Sequence, residues 1–558
     1  MFASVVLPIV LFGGLVFFHE LGHFLVAKKC GVYVERFAIG FGPAIFKKQW
    51  GETEYALCAF PLGGYVKMHG EEMEAIQGDV KKELSADDPR SYMNQPVWNR
   101  IAIASMGPIF NLILPVFVYA IIFWVGTDTL KPVIGDVEPG QPAAVAGLKA
   151  GDEIVSINGE AVNTWNHFVN ILRTQEAGDI DLTFKRNQRQ QNITVKATRS
   201  EVENVYGEKT QASQIGVSYL PFLPIVGISS EDSAAYKAGL RTGDEITKIN
   251  EKDIQYWWQV EQFFDQELSQ NMTLQVKRYS TEALQNNKLD QAEEKTIALN
   301  GKFLSAAHAG IENGQLYIRY VLPDSVAQEA GLQVNDKVVS LNGEELNTWS
   351  QFHQGIQSAE EALKIGILRN NIPLTLTAQP QVVSEKDELT QDKKQFKRLG
   401  VQSAALTGMP AFFKERYTNP FKALHKGVEE TIKLTVLTAK GLGKLFMGKL
   451  SMNSLGGPIS IFYLAGTSYK KGGFDAFFRM MAMLSITLAL LNLLPIPMLD
   501  GGHLLFFFIE VIKGSPVSEK VVRIGHTLGF AFIIGLMILT FYVDLNRFLF
   551  DRIRSLFN

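Results

Sequence analysis

Cysteine is nearly missing: of 558 residues only Cys30 and Cys58 carry a thiol. Their spacing fits no zinc or redox motif, and the middle of the chain has none, so no disulfide framework holds it together. Charge of one sign is missing too. A net charge of −3 without a strong patch gives no support for nucleic-acid binding. At the N-terminus residues 2 to 18 contain no charge at all, and the first basic residues are Lys28 and Lys29. A secretory signal would need a basic start and a cleavage site near residue 20, and neither is present. The first run is therefore expected to be a retained membrane span.

The 558 residues exceed what a single core can organise and imply three or more units. Hydrophobic residues make up 46% of the chain, and they are unevenly spread. Apolar runs cover 2–27, 101–125, 480–512 and 521–543, while the middle third reads as soluble. Lys28, Lys29, Arg36, Lys47 and Lys48 follow the first run, so the positive-inside rule puts the N-terminus outside and residue 28 onward in the cytoplasm.

The first run ends in Phe17-Phe18-His19-Glu20-Leu21-Gly22-His23. On a helix His19 and His23 project from one face and can grip a single Zn²⁺, with Glu20 one step round as general base for a bound water. A chance match on a helix with structural histidines is the competing reading. Ionisable groups inside an apolar helix are costly in lipid, however, and point to function. After this helix, Val32–Pro43, Tyr55–Leu57 and Phe60–Met68 read as short strands and hairpins. A sheet edge at membrane depth must be buried by protein or line a wet cavity. Residues 70–95 read as a charged, solvated loop. In the second run, Gly107-Pro108-Ile109-Phe110-Asn111 is unusual, because Pro should kink the helix and Asn needs a partner. It is either a packed kink or part of the site.

The middle is an internal repeat. Ala146-Gly147-Leu148-Lys149-Ala150-Gly151-Asp152-Glu153-Ile154 recurs at 238–246 and again, more loosely, at 330–338. The spacing is 92 residues both times (Gly147 to Gly239, Gly239 to Gly331), and Asn158, Asn250, Asn342 and Trp165, Trp257, Trp349 keep it. Each copy reads as strand, short helix, Gly-Asp turn, strand, Asn turn and second helix. The third copy has Asn335 in place of glycine, a residue that tolerates the left-handed conformation. The pattern resembles the PDZ domain of bacterial membrane and periplasmic proteases. That resemblance implies a groove that takes an extended peptide by strand addition; modules that act only as spacers or steric guards are the alternative. Residues 381–418 are expected to be a linker. Residues 419–450, with lysines among apolar residues at helical spacing, are expected to lie at the membrane interface, or else to pack on the repeats.

The last apolar region carries Asn492-Leu493-Leu494-Pro495-Ile496-Pro497-Met498-Leu499-Asp500-Gly501-Gly502-His503. Two prolines break the span and leave Asp500 near a helix restart at membrane depth, where a metal cation is a strong partner. Two histidines and one carboxylate leave a fourth position for water, the pattern of catalytic zinc.

Together, His19–His23, Gly40–Pro43, Pro61–Met68 and Asn492–His503 resemble the site-2 protease family of intramembrane zinc metalloproteases, over nearly the whole chain, and more closely its bacterial sigma-E-regulating branch. The resemblance implies an α-helical multi-pass inner-membrane protein with about four transmembrane helices, a membrane-entering β-hairpin and tandem α+β PDZ modules in the periplasm. It implies one Zn²⁺ per chain held by His19, His23 and Asp500, with Glu20 as base. Asn492, Pro495 and Pro497 would lie beside the substrate, and Gly63, Gly64 and Tyr65 in the hairpin. Implied substrates are single-span membrane proteins in the bilayer, an anti-sigma factor trimmed by another protease and remnant signal peptides. The expected division is a protease half over 1–125, PDZ modules over 126–215, 216–305 and 306–380, the linker, the interfacial helix, and a second protease half over 451–558. Three modules rather than the usual two depart from the family pattern. A membrane-anchored PDZ scaffold with a degenerate metal site is the competing class. It has no use for an acid, a base and a ligand trio at membrane depth.

Overall fold

The computed structural model describes residues 2–70, 88–204, 208–266, 269–280, 291–386, 393–449, 456–546 and 548. The expected charged loop falls largely on 71–87, outside the described residues. The chain forms two compact units: Met1–Thr127 with Lys414–Asn558, and Asp128–Asp387 with Lys393–Phe413.

In the first unit, helix α1 (Phe2–Lys29) leads into two long strands, β1 (Val34–Trp50) and β2 (Thr53–Met68), and then α2 (Val97–Val125). The later helices are α3 (Pro420–Phe446), α4 (Pro458–Asn492), α5 (Asp500–Lys513) and α6 (Glu519–Leu545). Among the described residues four helical stretches are long and apolar enough to cross a bilayer: Val6–Lys29, Val97–Val125, Pro458–Asn492 and Glu519–Leu545. The third stretch starts at Pro458, ahead of the apolar run at 480, and ends before Asp500. Lys470 and Lys471 beside Gly472 and Gly473 mask this continuity in the sequence. Both glycines leave helical geometry and bend α4 there.

Small residues let these helices approach closely. A side chain at Gly22 would strike the Met106 carbonyl, so α1 and α2 meet backbone to backbone. Gly427 of α3 fits equally tightly against Val116 and Ala120 of α2. The Ser485 hydroxyl of α4 donates to the Asn111 carbonyl, 2.7 Å away. Asp544 of α6 accepts from the backbone N–H groups of Gly457, Ile459 and Ser460, which caps the start of α4 with a buried carboxylate.

β1 and β2 fold back on each other twice. Val34–Ile39 runs against Gly64–Met68, and Ala44–Trp50 runs against Thr53–Cys58. Phe37, Ala38 and Ile39 also face Tyr55, Ala56 and Leu57, so Gly64–Met68 has β1 on one side only.

The three largest hydrophobic cores of the second unit follow one another in chain order, around Phe168, Val260 and Phe352. Each copy repeats one set of contacts. Asn158, Asn250 and Asn342 take positive φ, and each side-chain oxygen accepts a backbone N–H, from Asp181, Thr273 and Lys364 respectively. The helices starting at Trp165, Trp257 and Trp349 are 10 residues long in every copy. Asn335 sits at φ 75° where the other two copies have glycine. Each turn aspartate is buried and held bidentately by an arginine, Asp152 by Arg186, Asp244 by Arg278 and Asp336 by Arg369, at 2.6–2.8 Å. The same guanidinium also donates to the carbonyl of Gly147, Gly239 or Gly331, so one side chain ties strand end to turn. These arginines lie far from the Gly-Asp signature in sequence and were not anticipated.

The expected linker is partly ordered sheet. Gln381–Lys386 pairs with Lys393–Arg398, and Gln357 both donates to and accepts from the Lys397 backbone. Its charges sit on a strand alternation, which the high charge content hides.

Candidate metal centre and its supporting shell

The sequence gives α1 a polar pair one turn apart, and the neighbouring backbones decide what that pair can do. His23 Nδ1 lies 2.8 Å from the Ile103 carbonyl oxygen of α2. A carbonyl only accepts, so Nδ1 carries the proton and Nε2 is left with a free lone pair. His19 Nδ1 is 3.1 Å from the Asn111 amide, which presents an acceptor when Oδ1 is turned toward the ring. His19 Nε2 then also points its lone pair away from α2.

Both lone pairs meet Asp500. His19 Nε2 lies 3.2 Å from Asp500 Oδ2, His23 Nε2 lies 3.5 Å from Oδ1, and the two Nε2 atoms are 3.3 Å apart. Asp500 Oδ2 is buried and has no hydrogen-bond partner among the described residues. Three electron-rich atoms converging in a buried place repel one another unless a cation lies between them. Tetrahedral bonds of about 2.0–2.1 Å separate ligand atoms by roughly 3.3 Å, so the spacing fits zinc. These three residues are the group among the described residues able to hold a metal ion.

Asp500 reaches this position because the chain stops being helical at Leu493 and resumes at Asp500. Between them Met498 adopts φ 84°, unusual for a residue with a side chain. A side chain at Gly501 would collide with the Leu494 carbonyl, and one at Gly502 with the Ile496 carbonyl. Gly529 of α6 packs directly on Pro497. At the other end of α5, Glu510 accepts from Arg100 Nη2 at 2.5 Å, a nearly buried ion pair that fixes α5 to the start of α2.

Glu20 follows His19 directly on α1, in the same turn as His23. A Cβ at Gly64 would stand 3.2 Å from Glu20 Cγ, so β2 runs directly past this residue. Tyr65 pairs with Ala38, and its hydroxyl accepts from Arg36. Asn492 Nδ2 lies 3.4 Å from His19 Nε2, beside the ligand atoms. Pro495 and Pro497 form the turn that leads into Asp500. His19, His23, Asp500 and Asn492 thus lie close together, with Gly64 against Glu20, while Gly63 packs on the Phe41 ring. Ile103 and Gly529 carry no local signal, because each acts through backbone contact with a distant element, whereas Gly107 lies in the Gly107–Asn111 stretch that the sequence singles out and packs on His23. Asn111 carried a signal, a buried amide beside Pro108.

A fold of apolar helices around a buried His-His-Asp trio with an adjacent glutamate defines a membrane-embedded metallopeptidase. The profile of Peptidase family M50 matches residues 7–536, and the chain belongs to that family. It is 34% identical over 547 residues to a "Putative zinc metalloprotease" of Vibrio cholerae, covering 97% of both chains. It is also 30% identical to "Protease RseP" of Yersinia pestis and 28% identical to "Regulator of sigma-E protease RseP" of Escherichia coli, each over 97% of both chains. The protein is therefore a multi-pass membrane metalloendopeptidase of the site-2 protease type.

Proposed function

We propose that His19, His23 and Asp500 hold one zinc ion, that Glu20 is the general base, and that the enzyme cuts peptide bonds within the transmembrane segments of single-span membrane proteins. The observation that carries this reading is the convergence of three lone-pair donors at 3.2–3.5 Å around a buried, unpartnered carboxylate oxygen. Zinc, when bound, acidifies a water molecule and polarises the carbonyl of the bond to be cut. Glu20 accepts the water proton and returns it to the leaving amine.

The substrate class follows from the depth of the site. A transmembrane helix shields its own backbone, so it must unwind locally before the bond can be reached. The run Gly64–Met68, with β1 on one side only, offers a strand edge next to Glu20 for the freed backbone groups. The Asn492 amide, able to donate and accept, offers another partner. The relatives' names and the family resemblance point to an anti-sigma factor, already shortened by another protease, as the substrate, with remnant signal peptides as a second group. The basic residues after α1 favour an inner-membrane orientation with the repeats in the periplasm. Their recurring Gly-Asp turn, Asn turn and Trp-led helix support PDZ modules that restrain access of substrates with bulky outer domains. The lysine-bearing α3 is read as an interfacial helix.

The decisive experiment uses purified full-length protein. Glu20→Gln should keep zinc and lose cleavage of a single-span substrate by about 10²–10⁴-fold. His19→Ala, His23→Ala and Asp500→Ala should lose both zinc and activity. A Glu20→Gln enzyme with normal turnover would remove the base assignment.

A further inference from the structure

The second unit contains a buried cation that no described residue pairs. Arg319 lies in the first strand of the third repeat (Ile318–Val321) and is only 9% exposed. Its Nε and Nη1 atoms are buried and have no hydrogen-bond partner among the described residues. Burial pushes its pKa down, as expected for a guanidinium without a counter-ion. A partnerless buried charge is among the costliest features a fold can carry, so its retention calls for a reason.

The repeat shows that the fold itself does not require it. At the 92-residue spacing, position 319 corresponds to Gly227 and Gly135. In those copies the glycine makes room for what packs on it: a Cβ at 227 would strike the Tyr317 ring, and one at 135 the Leu220 and Pro221 backbone. The third copy alone places a long cationic side chain there. Its stem lies over Gly243, in the Gly-Asp turn of the second repeat.

Arg319 lines a cavity of about 360 Å³ between the second and third repeats. Arg241 and Arg278 also line it, against one aspartate, Asp244, which Arg278 already neutralises with two hydrogen bonds. Arg241 donates to the carbonyls of Tyr236 and Leu240 and keeps its charge. The remaining wall includes Val321, Pro323 and Val334, all apolar. A planar guanidinium beside an apolar wall matches a planar carboxylate on an apolar stem, with the paired charges offsetting each other's burial.

From this arrangement we infer that the cavity between the second and third repeats is a binding site for an organic carboxylate, with Arg319 as its anchor. The bound carboxylate meets Arg319 while its stem covers Val321, Pro323 and Val334. Because Arg319 belongs to the third repeat and the Arg241–Asp244 turn to the second, occupancy ties the two repeats together. The source of the carboxylate is either a free metabolite-sized acid or an acidic group on a polypeptide, and the chemistry at Arg319 is the same for both.

Isothermal titration of the full-length protein in detergent, at constant ionic strength with chloride, tests this with acetate, butyrate and hexanoate. Butyramide and inorganic phosphate serve as controls, and a short apolar peptide, with free or amidated C-terminus, separates the two sources. One saturable site is expected, with affinity rising from acetate to hexanoate, no heat from butyramide and weaker binding of phosphate. Arg319→Met should weaken butyrate at least tenfold, and Arg319→Lys, which lacks the planar fork, should weaken it several-fold. In chloride alone Arg319→Met should melt at or above the wild-type temperature, since it removes an unpaired buried charge. The inference is overturned by absence of saturable carboxylate binding, by equal binding of butyramide, by tighter binding of phosphate than of butyrate, by unchanged binding in Arg319→Met, or by that variant melting lower in chloride. A free-terminus peptide that outbinds hexanoate assigns the carboxylate to a polypeptide; the reverse order assigns it to a small acid. None of these readings depends on proteolysis, so failure here leaves the metal-site reading untouched.

Discussion

Gly107 and His23 touch with nothing between them: a Cβ at position 107 would stand 2.2 Å from His23 Nε2 and 2.8 Å from His19 Cε1. The backbone of α2 is thus the floor beneath both imidazoles, and Ile103, one turn earlier, supplies the carbonyl that sets the His23 tautomer. The metal site belongs to two helices as much as to one motif.

Gly107→Ala should therefore push α2 off the histidines. The expected result is at least a tenfold loss of zinc affinity with a matching loss of cleavage, the scale seen when support behind a metal ligand is disturbed. Gly13→Ala, in open space on α1, should change neither. Zinc content after dialysis against a weak chelator, with circular dichroism to show that the helices persist, gives the answer. Full zinc retention in Gly107→Ala would show that the floor is not needed.

The Arg100–Glu510 pair is expected to hold α5, and with it Asp500, in register. Both side chains are nearly buried, and Arg100 also lies over the Phe507 ring, 5.0 Å from its centre. Breaking a buried pair from one side costs about 3–5 kcal/mol, while replacing both partners by apolar groups costs far less. Arg100→Met or Glu510→Met should lower the melting temperature and raise zinc loss. The double variant should recover most of both. A double variant as damaged as the sum of the singles would mean that the pair is not coupled.

How much of this was legible depends on how local each cause is. The four-residue step from His19 to His23 is fixed by helix geometry, and the Pro-broken stretch before Asp500 announces a helix restart, so the ligand types could be read directly. Arg186, Arg278 and Arg369 could not be read in the same way. Each reaches its aspartate across 33–34 residues, and the third is displaced by one position from the repeat. The helix ahead of the apolar run at 480, from Pro458, was not read because Lys470 and Lys471 look like an end and Gly472 and Gly473 break the helical geometry there. The pairing of 381–386 with 393–398 was hidden by its charge. In each miss a long-range contact overrode a local signal.

Asp136 gives the second unit a pH dependence of unusual sign. Burial, reinforced by Glu138 and Glu261, raises its pKa from 3.8 to about 6. A carboxyl whose folded pKa is raised favours folding when protonated. Its contribution is complete below the unfolded value and is lost as pH rises through about 6. Asp136→Asn should thus stabilise the unit by about 1–3 kcal/mol at pH 8, with the gain fading toward pH 4.5. Denaturant unfolding followed by tryptophan fluorescence at the two pH values checks it. An equal gain at both would assign the effect to something other than ionisation.

The last prediction concerns how a helical substrate is opened. In lipid each freed N–H or C=O costs several kcal/mol unless it finds a new partner, so unwinding has to be matched by capture. Two features lie beside the reacting position: the Gly64 backbone, where a Cβ would stand 3.2 Å from Glu20 Cγ, and the Asn492 amide, 3.4 Å from His19 Nε2. The first offers strand pairing and the second offers hydrogen bonds to a single peptide group. Asn492→Leu should keep zinc, because Asn492 is outside the ligand trio, and should lower the rate of cleavage of a strongly helical substrate by about tenfold or more, roughly the worth of one or two hydrogen bonds. Gly64→Ala should act in the same direction by crowding Glu20 and the Ala38 carbonyl. A substrate carrying Gly or Pro near the cut needs less capture, so it should be cut faster by the wild type and should recover a large part of the rate in both variants. Rates on matched helical and helix-broken substrates, measured with zinc content held equal, separate capture from metal loss. Should the helix-broken substrate be cut no faster than the helical one by wild type and variants alike, strand capture is not how this enzyme reaches the peptide bond.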